Sequence, residues 1–282
     1  MKLPPVVLSI AGSDNSCGAG LQADLKTITA LGGYAQTAVT CVVAEVPGQV
    51  SAIQPIQPPI VSEQIRLSAK AFPIAGIKTG MLYSTGIIRA VAEAVSGISH
   101  RPPLVVDPVM VASSGDPLLK KSAIAAYESL LFPIATLVTP NLDELRILSG
   151  FPCRNLAEMR EAGARLVGKF GCAFLLKGGH LGTRQAVDIL ATAGGFQEFS
   201  APFRKGIDTH GTGCTFSSAI ATGLACGLSL EDSVAQGKEF ITSAIENAYV
   251  WAKSAALNHQ NRAARAAIST ESARKRLGKS SA

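Results

Sequence analysis

Short β-branched runs alternate along this chain with segments of helical period, and that alternation restricts the fold more than any other feature of the sequence. Residues 6–10 read as a strand before a helix over 21–31, 74–78 before 85–95, and 104–107 before 123–130. The pattern continues with a strand over 136–139 before a helix over 141–148, and with a helix over 156–170 before a strand over 173–177. Strands joined by helices must run mainly parallel, because the crossover needs room, and a parallel sheet has to be covered on both faces. Ligand sites in such a fold lie at the carboxyl ends of the strands. Two stretches break the alternation, 34–56 and 186–207, where strand-like runs follow one another with only Gly and Pro turns between them. They predict hairpins at the sheet edges, one of which could serve as a flap over a substrate. Two long helices are expected near the end, over 214–226 and 230–253.

The chain has 282 residues, 47% apolar and 16% charged, which suits one large α/β domain with an aliphatic core. Its net charge of +6 is a property of the C-terminal stretch. Residues 253–282 contain seven basic residues and one acid, whereas the remainder is balanced at 19 of each, so nucleic-acid binding is not expected. This separates a domain over 1–258 from a basic, disordered tail over 259–282, and deletion of 260–282 is expected to leave activity intact. Six cysteines, at 17, 41, 153, 172, 214 and 226, form no C-x-x-C pair and no ligand spacing with the four histidines. Neither a secretory signal core nor a membrane-length apolar run is present, so the chain reads as cytoplasmic, with reduced thiols.

The segment Asp208-Thr209-His210-Gly211-Thr212-Gly213-Cys214 carries the most chemistry. Two glycines allow successive N–H groups to converge, and a helix beginning near Gly213 directs its positive dipole end to the same point, which would make an anion hole. A Gly-rich loop that only caps a helix has the same spacing. Residues 273–280 satisfy a permissive P-loop pattern, but no strand precedes them and the chain ends two residues later. Gly12 to Gly20 is glycine-rich without the spacing of a dinucleotide fingerprint.

Several motifs in order resemble the hydroxymethylpyrimidine and phosphomethylpyrimidine kinases of thiamine synthesis, within the ribokinase superfamily. They are Ala11-Gly12-Ser13-Asp14 with residues 18–27, Ile77-Lys78-Thr79-Gly80-Met81-Leu82, and Asp107-Pro108-Val109-Met110 with Ser114-Gly115-Asp116. Further along come Thr139-Pro140-Asn141-Leu142-Asp143-Glu144, Leu176-Lys177-Gly178-Gly179-His180, and Thr209 to Cys214. The resemblance covers residues 5 to 255. It implies a ribokinase-like three-layer fold with a small β-flap, a homodimer, and ATP with Mg2+ as cofactors. It places a substrate ring near Gly12, Asp24, Met81 and Val109, with Glu45 in contact, and points the acceptor hydroxymethyl group at an anion hole of Gly211, Thr212 and Gly213. Lys177, Thr212 and Asn141 would meet the nucleotide, and Asp107 and Glu144 would hold the metal. Sugar kinases of the superfamily carry Asp where this chain has Cys214, so a thiolate would stand on the acceptor side, its pKa lowered by the helix N-terminus. For Asn141 the competing role is helix capping.

Two positions depart from the family pattern. Ser16-Cys17-Gly18-Ala19-Gly20 has Cys17 in place of a glycine, which removes freedom for positive φ. Glu45 stands where thiamine-pathway members carry Gln; an ionised carboxylate can accept hydrogen bonds but cannot donate them. Glu45 therefore keeps pyridoxal or pyridoxine phosphorylation open as an alternative. A vitamin-precursor binding protein without catalysis is the third reading.

Overall fold

The computed structural model describes residues 3–110, 121–179, 181, 184–204, 210–252 and 254–260. Ser114-Gly115-Asp116, His180, Asp208, Thr209 and nearly all of the basic tail lie outside the described residues.

An almost unbroken apolar run makes strand β1 (Val6–Asp14) buried on both faces. It lies inside a nine-stranded sheet of order β3-β2-β1-β4-β5-β6-β7-β8-β9. The parallel strands are β1, β2 (Tyr34–Val46), β4 (Ile74–Thr79), β5 (Leu104–Val106), β6 (Leu137–Val138) and β7 (Ala173–Lys177). The expected hairpins form the two sheet edges: β3 (Gln49–Pro55) pairs antiparallel with β2, and β8 (Gln185–Thr192) with β7 and β9 (Gly195–Pro202).

Alternate residues of the strands supply two apolar layers, as the pleat requires. Leu8, Ile10, Val106, Val138 and Leu176 face one side, where they pack with Ile65 of α2 (Pro58–Ala71), Val91 of α3 (Thr85–Ser96), Leu145 of α5 (Leu142–Ser149) and Ala162 of α6 (Leu156–Phe170). Val7, Val105, Leu137 and Leu175 face the other, against Ile28 of α1 (Gly20–Ala30), Ile220 of α7 (Thr212–Ala225) and Ile241 of α8 (Leu230–Glu246). The result is the three-layer ribokinase-like α/β arrangement.

Three elements differ from the sequence reading. Helix α2 lies where no helix is expected; proline is well suited to the first helical turn, and Val61 and Ile65 bury one face. The segment expected as a helix over 123–130 is a short α4 (Lys121–Ala126) that widens into a π turn over Tyr127–Leu131 before Pro133. The last helix stops at Glu246, and a hairpin of β10 (Tyr249–Trp251) and β11 (Ser254–Ala256) follows, in keeping with the aromatic and β-branched residues there.

Candidate active site

The carboxyl ends of β1, β4, β5, β6 and β7 open into one cavity of about 590 Å³. Gly12, Glu45, Met81 and Val109 line one part of it. Asp107, Asn141, Glu144 and Lys177 line a second part, beside Gly211, Thr212, Gly213 and Cys214. Pro202, Phe203, Phe216, Ile241 and Ile245 form an apolar slot beyond these.

The first part is walled by the β1–α1 loop, which Asp14 organises. Its carboxylate accepts from the N–H groups of Ser16, Gly18 and Ala19, from Ser16 Oγ, and from His210 Nε2 at 3.1 Å. Burial raises the pKa of this carboxyl, but the donors outweigh burial and hold it well below the usual carboxylate range. Their strength explains how Cys17 occupies φ +60 without the expected glycine, in a region that costs an ordinary residue about 1–2 kcal/mol. Val109 is held at φ +46, a rarer position still for a β-branched side chain. In the same loop, Asn15 Oδ1 accepts from the backbone N–H of Glu45 at 2.7 Å, and burial together with the nearby Asp14 raises the pKa of the Glu45 carboxyl. Asp14, Glu45 and His210 bring one ligand atom each within 4.8 Å of one another, but the Asp14 oxygens already accept five hydrogen bonds, which suits a charge-bridged wall better than a cation site.

The second part is built around α7. Gly211 is the N-cap residue at φ +82 and has no side chain to cap the helix, and the first turn, Gly211 to Cys214, lines the cavity. A Cβ on Gly213 would lie 3.2 Å from Lys177 Nζ and 3.3 Å from Asp107 Oδ2, so the cation, the carboxylate and the helix start meet at one point. Lys177 donates to Asp107 Oδ1 at 3.0 Å. Burial works against the Lys177 ammonium, but Asp107 and Glu144 outweigh it and raise its pKa.

Asn141 and Glu144 form a capping box at the start of α5: Asn141 Oδ1 accepts from Glu144 N, and Glu144 Oε2 from Asn141 N. Both roles weighed for Asn141 therefore coexist, since it caps the helix and lines the cavity. Glu144 Oε1 also accepts from Met110 N, and burial pushes this carboxyl up to about 7. The Asp107 and Glu144 carboxylates and the Asn141 amide offer oxygen ligands only, a donor set that fits magnesium, while Lys177 supplies positive charge and no ligand.

Two expectations are corrected. Asp24 does not line the cavity. It is wholly buried, both oxygens accepting from Lys78 Nζ at 2.9 and 2.8 Å, with Ser9 Oγ and Ser218 Oγ as further donors. Asp24 lies on the buried stripe of α1 with Leu21, Ala23, Thr27 and Ile28, so it ties α1 to β1, β4 and α7 beneath the site. Cys214 is where expected, but its thiol is pushed up to about 11. Burial dominates, Lys78 and the N–H of Gly20 oppose it, and Asp24 and Asp107 reinforce it. A neutral thiol, not a thiolate, faces the cavity at neutral pH.

The sequence motifs contain Asp14 and Lys78 without assigning either a role, and Ser218 lies outside them. A lysine within the apolar run Ile74-Ala75-Gly76-Ile77-Lys78-Thr79 is itself the signal of a buried ion pair, because an unpaired one is untenable there.

The "Phosphomethylpyrimidine kinase" family model matches residues 14–259. A thiamine biosynthesis bifunctional protein of Geobacter sulfurreducens is 44% identical over 85% of this chain, which spans 49% of that protein's length. The hydroxymethylpyrimidine/phosphomethylpyrimidine kinase of Streptomyces coelicolor is 41% identical over 86% of this chain and 89% of its own length. Among solved structures, pyridoxal kinase from Staphylococcus aureus in complex with ADP superposes with a TM-score of 0.84 at 33% identity, covering 92% of this chain and 94% of that one. With its motifs at the strand ends and its sequence matched over most of its length, the chain belongs to the phosphomethylpyrimidine kinase family.

Proposed function

We propose that this protein transfers the γ-phosphoryl group of ATP to 4-amino-5-hydroxymethyl-2-methylpyrimidine and then to its monophosphate, yielding the diphosphate used in thiamine synthesis. One observation carries the reading: Gly12, Glu45, Met81 and Val109 line the same cavity as the start of α7, Lys177 and Asp107. Phosphoryl transfer asks chiefly for positioning and charge stabilisation, and the parts divide along those lines. Gly12, Met81 and Val109 pack the ring, and Glu45 accepts from the exocyclic amine. The first-turn N–H groups of Thr212, Gly213 and Cys214 and the Lys177 ammonium stabilise negative charge on the moving phosphoryl oxygens. Cys214, as a neutral thiol, orients the acceptor hydroxyl, and a loose transition state needs little general-base help. The apolar slot at Phe203, Phe216 and Ile241 receives the nucleobase. Asp107 and Glu144, with Asn141, would hold Mg2+, which neutralises phosphate charge when bound. We place the protein in the cytoplasm as a homodimer, with the kinase domain over 1–258 and the tail over 259–282 outside the catalytic unit.

Pyridoxal phosphorylation is the second reading. Glu45 favours it, standing where thiamine-pathway members have Gln, and so does the resemblance to the Staphylococcus aureus pyridoxal kinase. A coupled ADP-release assay with the hydroxymethylpyrimidine, its monophosphate and pyridoxal, run on wild type and Glu45→Gln, decides. The expected result is a higher kcat/KM for the pyrimidines, increased further in Glu45→Gln. Preference for pyridoxal in the wild type transfers the assignment to the second reading, and magnesium-dependent turnover of none of the three refutes kinase activity on these alcohols.

A further inference from the structure

Among the buried titratable groups that the chemistry above leaves unused is an imidazole. His259 is 3% exposed, at the end of the described chain, and the polypeptide is folded back to place it there. After α8, the β10–β11 hairpin reverses direction. Asn258 N then donates to Ala244 O at 3.2 Å, and Asn258 Oδ1 accepts from Tyr249 Oη and Gln260 N at 3.1 and 3.0 Å. Leu257, also 3% exposed, enters the apolar layer of Phe216, Ile220 and Ile241. His259 Nε2 thereby comes within 2.9 Å of Thr215 Oγ1, in a buried contact.

Thr215 directly follows Cys214, and its N–H donates to Gly211 O at 2.9 Å, closing the first turn of α7. That turn begins at a glycine with positive φ, a residue with no side chain of its own to cap the helix. At Thr215 a distant part of the chain grips that turn by a side-chain hydrogen bond. We propose that His259 is a positioning residue for phosphoryl transfer, holding the first turn of α7 in register with Lys177 and Asp107 through Thr215. Burial, reinforced by Lys26, lowers the pKa of the imidazole to about 4, so the contact is made by a neutral ring at physiological pH.

The proposal rests on α7 being the phosphate cradle, and nucleotide binding separates the two ideas. The full chain is compared as wild type, His259→Ala, Thr215→Val, Thr215→Ser and the His259→Ala/Thr215→Val double variant. Affinity for ADP with magnesium is read by calorimetry and kcat by ADP release, both well below the melting temperature of the weakest variant. His259→Ala and Thr215→Val are each expected to lower kcat by about tenfold or more and to weaken ADP severalfold, since small displacements of positioning groups are costly. The double variant is expected to be no worse than the worse single, because both act through one bond, and Thr215→Ser should recover most of the loss. The proposal is overturned when the single variants lower only the melting temperature while kcat and ADP affinity hold, or when their effects multiply. If His259→Ala does not fold, His259→Gln and Thr215→Val carry the same comparison. If wild type turns over none of the alcohols, the functional reading falls, and the ADP affinities of the variants still decide the role of His259.

Discussion

Gly211→Ala tests the anion hole most directly. A Cβ at this position would lie 1.8 Å from Gly18 O and 2.7 Å from Gly18 C, both backbone atoms, so no side chain can turn aside to admit it. The loop before α7 and the β1–α1 loop must therefore separate by roughly 1 Å or more, because packed backbone has no slack at that distance. Adding a Cβ at φ +82 costs a further 1 kcal/mol or so in left-handed strain. A displacement of about 1 Å in a positioning element lowers a rate by about 10²-fold, or roughly 2.7 kcal/mol. Gly227→Ala is the control, since Gly227 lies just past the other end of α7 at φ +85, and a Cβ added there would meet nothing within 4 Å. It should carry the strain alone, lowering Tm by about 2–4 °C with kcat within about twofold of wild type. Steady-state ADP release gives kcat and KM, and thermal unfolding by circular dichroism gives Tm. Gly211→Ala with kcat within about threefold of wild type, or Gly227→Ala with an equal loss, refutes the reasoning.

Lys78→Met strands the Asp24 carboxylate in the core with only Ser9 and Ser218 as donors. It should destabilise the protein by about 3–5 kcal/mol in urea titrations, while Lys78→Met with Asp24→Leu recovers much of the loss; equal stability of the single variant and wild type argues against a buried charged pair. His259 has a folded pKa of about 4 against an unfolded value near 6.5, so between these the unfolded chain binds more protons. Stability from this group is complete above about pH 6.5 and is lost on acidification toward 4, by at most about 3 kcal/mol. Glu144, raised to about 7, slopes the opposite way in both proteins, so the readout is the difference between wild type and His259→Gln in urea midpoint at pH 4.5, 5.5 and 7; parallel curves contradict the assignment. Deletion of 261–282 should leave kcat and both KM values within about twofold, because the packed contacts of the C-terminal segment end at His259 and Gln260 among the described residues; a large fall in kcat would bring the tail into the site.

Much of this architecture is legible in the chain because its strands are buried on both faces. Val6 to Ile10 is apolar almost throughout, and the helices between strands carry one-sided stripes, so the strand–helix order and the position of the site at the strand ends follow from periodicity. The misses have physical causes. Pro58-Pro59 carries opposite meanings at a turn and at a helix N-terminus, and only the packing of Val61 and Ile65 selects the second. The end of α8 is set by Asn258 returning to Ala244, a tertiary contact with no local signature. For Asp24, a motif match points to the ring compartment although its spacing with Leu21, Thr27 and Ile28 already puts it on the core face of α1. The helix dipole argues for a Cys214 thiolate, and burial, which position in the sequence does not reveal, reverses it.

The hairpin that delivers His259 also carries the only tryptophan of the chain. Trp251 is 58% exposed, beside Tyr249 at a ring separation of 6.0 Å and outside either apolar layer. Its emission in the native protein therefore originates from a wet, peripheral ring, red-shifted from the start, and hardly registers the melting of the sheet. Tryptophan emission thus stays with the exposed hairpin and is a poor gauge of the fold, so unfolding of the sheet has to be followed by peptide circular dichroism instead.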